Sequence, residues 1–374
     1  MESGANETRR RGLASSAPPG APAANEEADR RIAMWLFVCG AMIFAMVVIG
    51  GVTRLTQSGL SMVEWKPLLG IMPPLGDGEW RALFGEYQRY PEYWVLNTGM
   101  TLDDFKRIFW FEYTHRLWGR LIGLVFLVPF LYFLSRGRIG KRLGLHLGII
   151  FALGALQGGL GWYMVKSGLV KDPAVSQYRL AAHLGAAFAI YAYILWIALG
   201  LLAGRAARAR GAGVRGSNPG LKRLAIFVVA LVSLTVMSGA FVAGIDAGLG
   251  YNTFPLMGGQ WVPDEIFLLD PPIANFFENA ATVQFNHRVL GILTLAAVIL
   301  LWLVSRRFEL PARARLALDL TLAMAVLQPG LGIATLLLVV PVALAAAHQA
   351  GALALFTLAL VAVHELFAAK PDTP

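Results

Sequence analysis

One cysteine, Cys39, stands in a chain of 374 residues. A single thiol excludes an internal disulfide and any metal site built on thiolates. Charge is scarce as well. Only 15% of the residues are Asp, Glu, Lys or Arg, against 57% hydrophobic, and mean hydropathy is +0.59. A soluble chain of this length carries more charge. The apolar residues are gathered into runs of about 20, long enough to cross a bilayer as helices. The chain therefore reads as an integral membrane protein with membrane lipids around it. Its net charge of +9 is not a nucleic-acid footprint, because the bases sit mostly in short loops between the runs.

Residues 1–30 are rich in Ala, Pro, Gly and Ser and carry both charge signs, which predicts a disordered cytoplasmic tail. Arg9 to Arg11 hint at a targeting peptide, and the acids at Glu26, Glu27 and Asp29 argue against one. Eight spans follow, roughly Ile32–Val52, His115–Ser135, Leu143–Val165, Leu180–Ala203, Leu224–Ile245, Gln284–Ser305, Leu316–Val340 and Val342–Val363. Pro341 is the natural break between the last two. Three connections are short and basic: Arg136 to Arg142, Arg205 to Arg223 and Arg306 to Arg315. Short basic loops face the cytoplasm, so both termini are expected inside, in a multi-pass protein of the bacterial inner membrane. The loop from Asp246 to Val283 has acids and no Lys or Arg, which fits an outer location. The other long outer loop, Thr53 to Thr114, has Trp80, Leu83, Phe84 and Tyr87 at helical spacing. That predicts an amphipathic helix on the membrane surface. Thr101 and Asp104 resemble a capping box opening a helix that runs on into the second span.

The spans contain a repeat. His115-Arg-Leu-Trp-Gly119 matches His287-Arg-Val-Leu-Gly291, and ALQGGLG (Ala155–Gly161) matches VLQPGLG (Val326–Gly332). His183-Leu-Gly-Ala186 answers His348-Gln-Ala-Gly351, and Ser58–Ser61 answers Ala247–Gly250 more weakly. The expected architecture is all-α, with eight transmembrane helices as two pseudo-symmetric four-helix bundles. Four helices per unit is an even number, so both copies enter from the same side as a parallel repeat. The halves are 31–204 and 224–366, joined by a cytoplasmic linker, 205–223, and followed by a short tail, 367–374.

Of six histidines, His146 and His364 lie at the cytoplasmic boundary without counterparts in the other half and read as boundary polar residues. His115, His183, His287 and His348 form two pairs in the outer leaflet, one pair per half, on alternate helices. Two imidazoles on facing helices in an apolar bundle suit axial ligation of haem iron. Arg116 and Arg288 follow two of these histidines directly and suit the anionic propionates of a porphyrin. Zinc fits poorly, because it wants three or four converging ligands. Symmetry fails at one place: three residues before His115 is Glu112, and three before His287 is Gln284, which cannot transfer a proton. Positions i and i+3 share a helix face. The asymmetry implies that the first half does chemistry, with Glu112 as acid or base, and that the second holds a fixed cofactor.

These residues resemble the haem A synthase family. The matching stretches are GGVTRLTQSGLSMVEWKPLLGIMPP (Gly50–Pro74), EYTHR (Glu112–Arg116), HLGAAF (His183–Phe188), NHRVLG (Asn286–Gly291) and HQAGA (His348–Ala352). The resemblance implies oxidation of the methyl group on ring carbon 8 of haem O to a formyl group, giving haem A for cytochrome oxidase. The route is two hydroxylations and loss of water. It implies that His287 and His348 hold a haem b cofactor, that His115, His183 and Arg116 face the substrate haem, and that Glu112 is the essential acid. Haem O synthase and cytochrome oxidase assembly factors are the implied partners, and self-association is left open. The absence of outer-loop cysteine pairs matches the alphaproteobacterial and mitochondrial branch and excludes thiol-based electron entry. Two rival readings remain: a dihaem b-type cytochrome that only moves electrons, and a haem transporter.

Overall fold

The computed structural model describes residues 21–63, 72–168, 175–210 and 218–368. Eleven α-helices run through them. They are α1 (Ala21–Leu55), α2 (Asp77–Tyr87), α3 (Pro91–Leu96), α4 (Leu102–Ser135), α5 (Lys141–Gly168), α6 (Gln177–Arg210), α7 (Pro219–Gly244), α8 (Asn275–Glu278), α9 (Ala280–Ser305), α10 (Ala312–Leu337) and α11 (Val342–Ala368). No strand pairing occurs among the described residues beyond one isolated bridge between Met257 and Gln260. Eight of the helices (α1, α4, α5, α6, α7, α9, α10 and α11) are long and apolar enough to span a bilayer, one for each expected span.

The helices overrun the expected spans for local reasons. Ala21 to Arg30 belong to α1, so the last ten residues of the segment read as a disordered tail are helical. Their Ala and Glu content favours helix, and Glu27 and Arg31 pair one turn apart at 3.0 Å. At the second span the helix begins at Leu102, well before His115. Thr101 Oγ1 accepts from the Asp104 backbone N–H while the Asp104 side chain accepts from the Thr101 backbone, a complete capping box. α10 stops at Leu337 and α11 starts at Val342, with Val339 and Val340 both at positive φ just before Pro341. The linker expected at 205–223 is shortened from both ends, since α6 runs to Arg210 and α7 begins at Pro219. Its middle, 211–217, lies outside the described residues, as do 1–20, 369–374 and the stretch 64–71 of the first outer loop.

The centre of the molecule is built from α1, α6, α7 and α11. Packing of α6 on α7, and of α11 on α1, α6 and α7, joins the two halves. Leu36, Ile194, Val228 and Leu353 are fully enclosed or nearly so in this core. Polar ties cross the same boundary: Tyr191 Oη to Thr357 Oγ1 at 2.9 Å, and Gln349 Nε2 donating to the Val47 carbonyl at 3.0 Å. At the outer face Arg54 pairs with Asp246 at 3.2 Å. In contrast, few residues in the apolar stretches of α4 and α5 are fully buried, as suits helices facing lipid or an open cleft.

The amphipathic helix expected in the first outer loop is α2, and one face of it packs on protein. Trp80 and Tyr87 are buried against Phe105, Phe109 and Tyr113 of α4. The capping box opens α4 well before His115, and that extension offers α2 an aromatic face. Trp80 and Phe109 meet edge-on with ring centres 4.9 Å apart, and Tyr87 and Phe105 lie 5.2 Å apart. This aromatic cap lies over the N-terminal half.

Candidate functional site

Each of the four outer histidines stands on a different helix: His115 on α4, His183 on α6, His287 on α9 and His348 on α11. Each ring lies against a glycine of the preceding span. A methyl group at Gly50 on α1 would stand 3.1 Å from His115 Nε2, and one at Gly161 on α5 would stand 3.3 Å from His183 Cε1. In the other half the same contacts are Gly239 on α7 to His287 Cε1 at 3.1 Å and Gly332 on α10 to His348 Cε1 at 2.8 Å. Small residues let helices and rings approach this closely. Within ALQGGLG and VLQPGLG it is the last glycine that meets the histidine. Gly158, Gly159 and Gly330 have no such neighbour.

His287 and His348 face each other with ring centres 6.3 Å apart and planes 87° to one another. Two imidazoles bonded through nitrogen to one metal ion, each at roughly 2 Å, have ring centres about 6 Å apart. The Nδ1 edges of both rings are engaged from behind. Ser238 Oγ lies 2.8 Å from His287 Nδ1, and Gln328 Nε2 lies 3.1 Å from His348 Nδ1 while also donating to the His348 carbonyl at 2.7 Å. Such contacts orient a ligand ring. In the N-terminal half Gln157 Nε2 likewise donates to the His183 carbonyl at 2.8 Å, but His183 Nδ1 is buried with no partner among the described residues. The C-terminal pair is thus the more firmly held of the two.

Glu112 sits one helical turn before His115, with its side chain 3% exposed. Its carboxylate accepts from Ser61 Oγ and from the Met62 backbone N–H, both at 2.7 Å, and pairs with Arg116 one turn on. Arg116 also donates to the Met62 carbonyl at 2.8 Å. The corresponding positions of the other half make the same pattern with an amide. Gln284 Oε1 accepts from Arg288 at 3.1 Å, Gln284 Nε2 donates to the Ala247 carbonyl at 2.9 Å, and Arg288 donates to the Tyr251 carbonyl at 2.9 Å. Both arginines therefore brace an outer loop onto a histidine helix. Arg288 Nε remains buried and unpartnered among the described residues. An ionised Glu112 beside Arg116 is a charge-paired buried acceptor, whereas Gln284 has no charge to exchange.

The remaining histidines stand apart from these pairs. His146 Nδ1 contacts Tyr193 Oη at 2.6 Å, joining α5 to α6. His364 is 7% exposed and packs edge-on against Trp196 at 5.1 Å. It is buried between α6 and α11, near the C-terminal end of the last span. Among the described residues no group of three or more His, Cys, Asp and Glu side chains converges, so the zinc alternative gains no support.

Several contacts of the site gave no signal in the sequence. Ser238 and Gln328 approach their histidines from other helices, and the Met62 backbone is contributed by a loop. Gly50 and Gly239 were legible in principle. They are 189 residues apart, the same offset that relates Ser58–Ser61 to Ala247–Gly250.

Eight apolar spans, four imidazoles each backed by a glycine and one buried carboxyl a turn before His115 define a polytopic helical membrane protein. The chain belongs to the COX15-CtaA family, described as cytochrome oxidase assembly protein, whose profile matches residues 33–360. It is 58% identical to the haem A synthase of Nitrosospira multiformis over 90% of this chain and 94% of that protein. The haem A synthase of Paramagnetospirillum magneticum is 49% identical over 91% and 94% of the two chains. The human haem A synthase COX15 is 47% identical over 91% and 84%.

Proposed function

We propose that this chain is a haem A synthase that oxidises the C8 methyl group of haem O to a formyl group. Haem O is the substrate of the N-terminal half, between His115 and His183. A haem b held by His287 and His348 is the cofactor of the C-terminal half. The ring separation of 6.3 Å and the engaged Nδ1 edges of both rings suit two imidazoles that would hold the haem iron between them. When bound, that haem supplies one-electron redox chemistry. The buried, unpartnered Nε of Arg288 suits a carboxylate such as a propionate.

The observation that carries the assignment of roles is Glu112. Of two otherwise similar arrangements, only the one at His115 has a proton-exchanging group. Ser61, the Met62 N–H and Arg116 hold its carboxylate in one position. Conversion of methyl to alcohol, gem-diol and aldehyde requires protons to move at the reacting carbon, and a fixed carboxylate is suited to that task. The softer hold on His183 suits a ligand that must leave as product. The second site keeps its cofactor through every turnover.

The distribution of basic loops supports a bacterial inner-membrane location with both termini cytoplasmic and both sites toward the outer face. Haem O synthase is the expected source of substrate, and assembly factors of cytochrome oxidase are the expected recipients of product. The test is haem extraction from membranes of a host that makes haem O. Cells with the wild-type chain accumulate haem A. Cells with Glu112→Gln retain haem O or its alcohol, at a rate lower by about 10²–10⁴-fold. A porphyrin left unchanged by the wild-type chain would favour the cytochrome or transporter readings.

A further inference from the structure

Behind His287 the seam between α7 and α9 is polar. Ser238 of α7 donates its hydroxyl proton to the Thr235 carbonyl at 2.7 Å, and its Oγ lies 2.8 Å from His287 Nδ1. A hydroxyl has one proton to give. With that proton committed, Ser238 accepts, and the proton of the second contact belongs to His287 Nδ1. The neutral ring then has its free lone pair on Nε2. Further along the same seam, Thr235 Oγ1 donates to the Leu231 carbonyl at 2.9 Å and meets Thr294 Oγ1 of α9 at 2.7 Å. Thr294 is buried and lies about two turns after His287. At His348 the neighbouring atom is the amide nitrogen of Gln328, a donor. Of the two rings, His287 is the one backed by an acceptor.

The equivalent seam of the N-terminal half, between α1 and α4, is apolar. Gly50 and Gly239 fix the equivalence, because each lies against the first histidine of its half. The residue before Gly239 is Ser238, and the residue before Gly50 is Ile49. Four residues before the same glycines stand Thr235 and Met46. On the partner helices, Thr294 follows His287 at the spacing by which Ile122 follows His115. The packing agrees with this alignment. A methyl group at Gly119 of α4 would stand 3.3 Å from Met46 Cε, so Met46 faces α4 as Thr235 faces α9. The two rings are also turned differently. A methyl group at Gly50 would be nearest Nε2 and Cδ2 of His115, at 3.1 and 3.5 Å. One at Gly239 would be nearest Cε1 and Nδ1 of His287, at 3.1 and 3.7 Å. Ile49 has no polar atom with which to hold a ring nitrogen in one direction.

Resting on the assignment of haem b to His287 and His348, we propose that Ser238 is the positioning residue that presets His287 as a ligand and so separates the resident haem from the transient one. By accepting from Nδ1–H it fixes the ring and leaves Nε2 free to bind iron. The same contact makes Nε2 a stronger donor. A stronger axial donor favours oxidised iron and lowers its reduction potential. Ile49 gives His115 no such support, as suits a site whose haem is released after each turnover.

The test uses the full chain purified in detergent, with Ser238→Ala and Ser238→Thr. Alanine removes one oxygen atom and is the better helix former, so α7 is expected to persist. Ser238→Ala should bind haem b about 10–100-fold more weakly, raise its midpoint potential and shift its low-spin electron paramagnetic resonance signals. Ser238→Thr retains a hydroxyl that can bond the preceding turn and should bring all three back toward wild type. Nitrogen NMR of the full chain from haem-deficient cells, with isotopically labelled histidine, gives a readout independent of the haem. The His287 resonances, identified by their loss in His287→Gln, should show the proton on Nδ1. The proposal is overturned if Ser238→Ala has the wild-type affinity and potential, or if the proton of His287 is on Nε2. It is overturned equally if Ser238→Thr loses haem as alanine does, because the role is then one of shape. Wild-type protein that binds no b-type haem would sink the assignment of the C-terminal half instead, and the NMR spectrum would still decide whether Ser238 sets the ring.

Discussion

The site depends on single atoms at a few positions. Gly332 leaves 2.8 Å between a would-be methyl group and the His348 ring, less than real Cβ contacts allow. Gly332→Ala is therefore expected to displace that ring and to remove most of the b-type absorbance from purified protein, with haem A formation lost alongside. Gly161→Ala, at 3.3 Å, should do less to the N-terminal site. Gln284→Glu tests the asymmetry from the opposite side. It places a carboxylate beside Arg288, and the expected result is unchanged haem b content and no new activity, read by haem extraction. Glu92 of α3, 3% exposed and with an Oε2 unpartnered among the described residues, has a consequence for stability. Its carboxyl stays protonated in the folded chain up to about 8, while an unfolded chain releases that proton near 4.5. Its contribution is most favourable below about 4.5 and declines as pH rises to about 8. Thermal midpoints in detergent should decline over that interval, and Glu92→Gln should flatten the decline.

Among the elements, α4 carries the most. It holds Glu112, His115 and Arg116 near its middle and the floor of the aromatic cap at its outer end. Thr101→Ala removes the capping contact and is expected to cost about 1 kcal/mol, appearing as faster amide exchange in the first turns of α4. Phe109→Ala empties the cap between Trp80 and Tyr113. It should cost about 3–5 kcal/mol and loosen the Ser61–Met62 segment that holds Glu112. The capping box was legible because Thr101 and Asp104 are three residues apart. The destination of α2 was not legible, because an amphipathic face reads the same whether it meets lipid or another helix.

Across the whole molecule the two halves are coupled through their shared core. A methyl group at Gly51 on α1 would collide with the Gln349 amide, which bonds the Val47 carbonyl from α11. Gln349 adjoins His348, so Gly51→Ala is expected to shift the haem b spectrum of the opposite half, as read in the Soret band or by electron paramagnetic resonance.

Taken alone, the sequence determined the number and place of the membrane spans, the two histidine pairs and the Glu112–Gln284 asymmetry. Hydrophobic runs and repeated motifs are properties of consecutive residues, and the bilayer reads them locally. Only the tertiary structure decided that Arg116 is bound to Glu112, that Ser238 and Gln328 stand behind the C-terminal rings, and that Glu92 is buried. Those contacts join segments far apart in the chain, and their partners are chosen by how helices pack, which no spacing within one helix records.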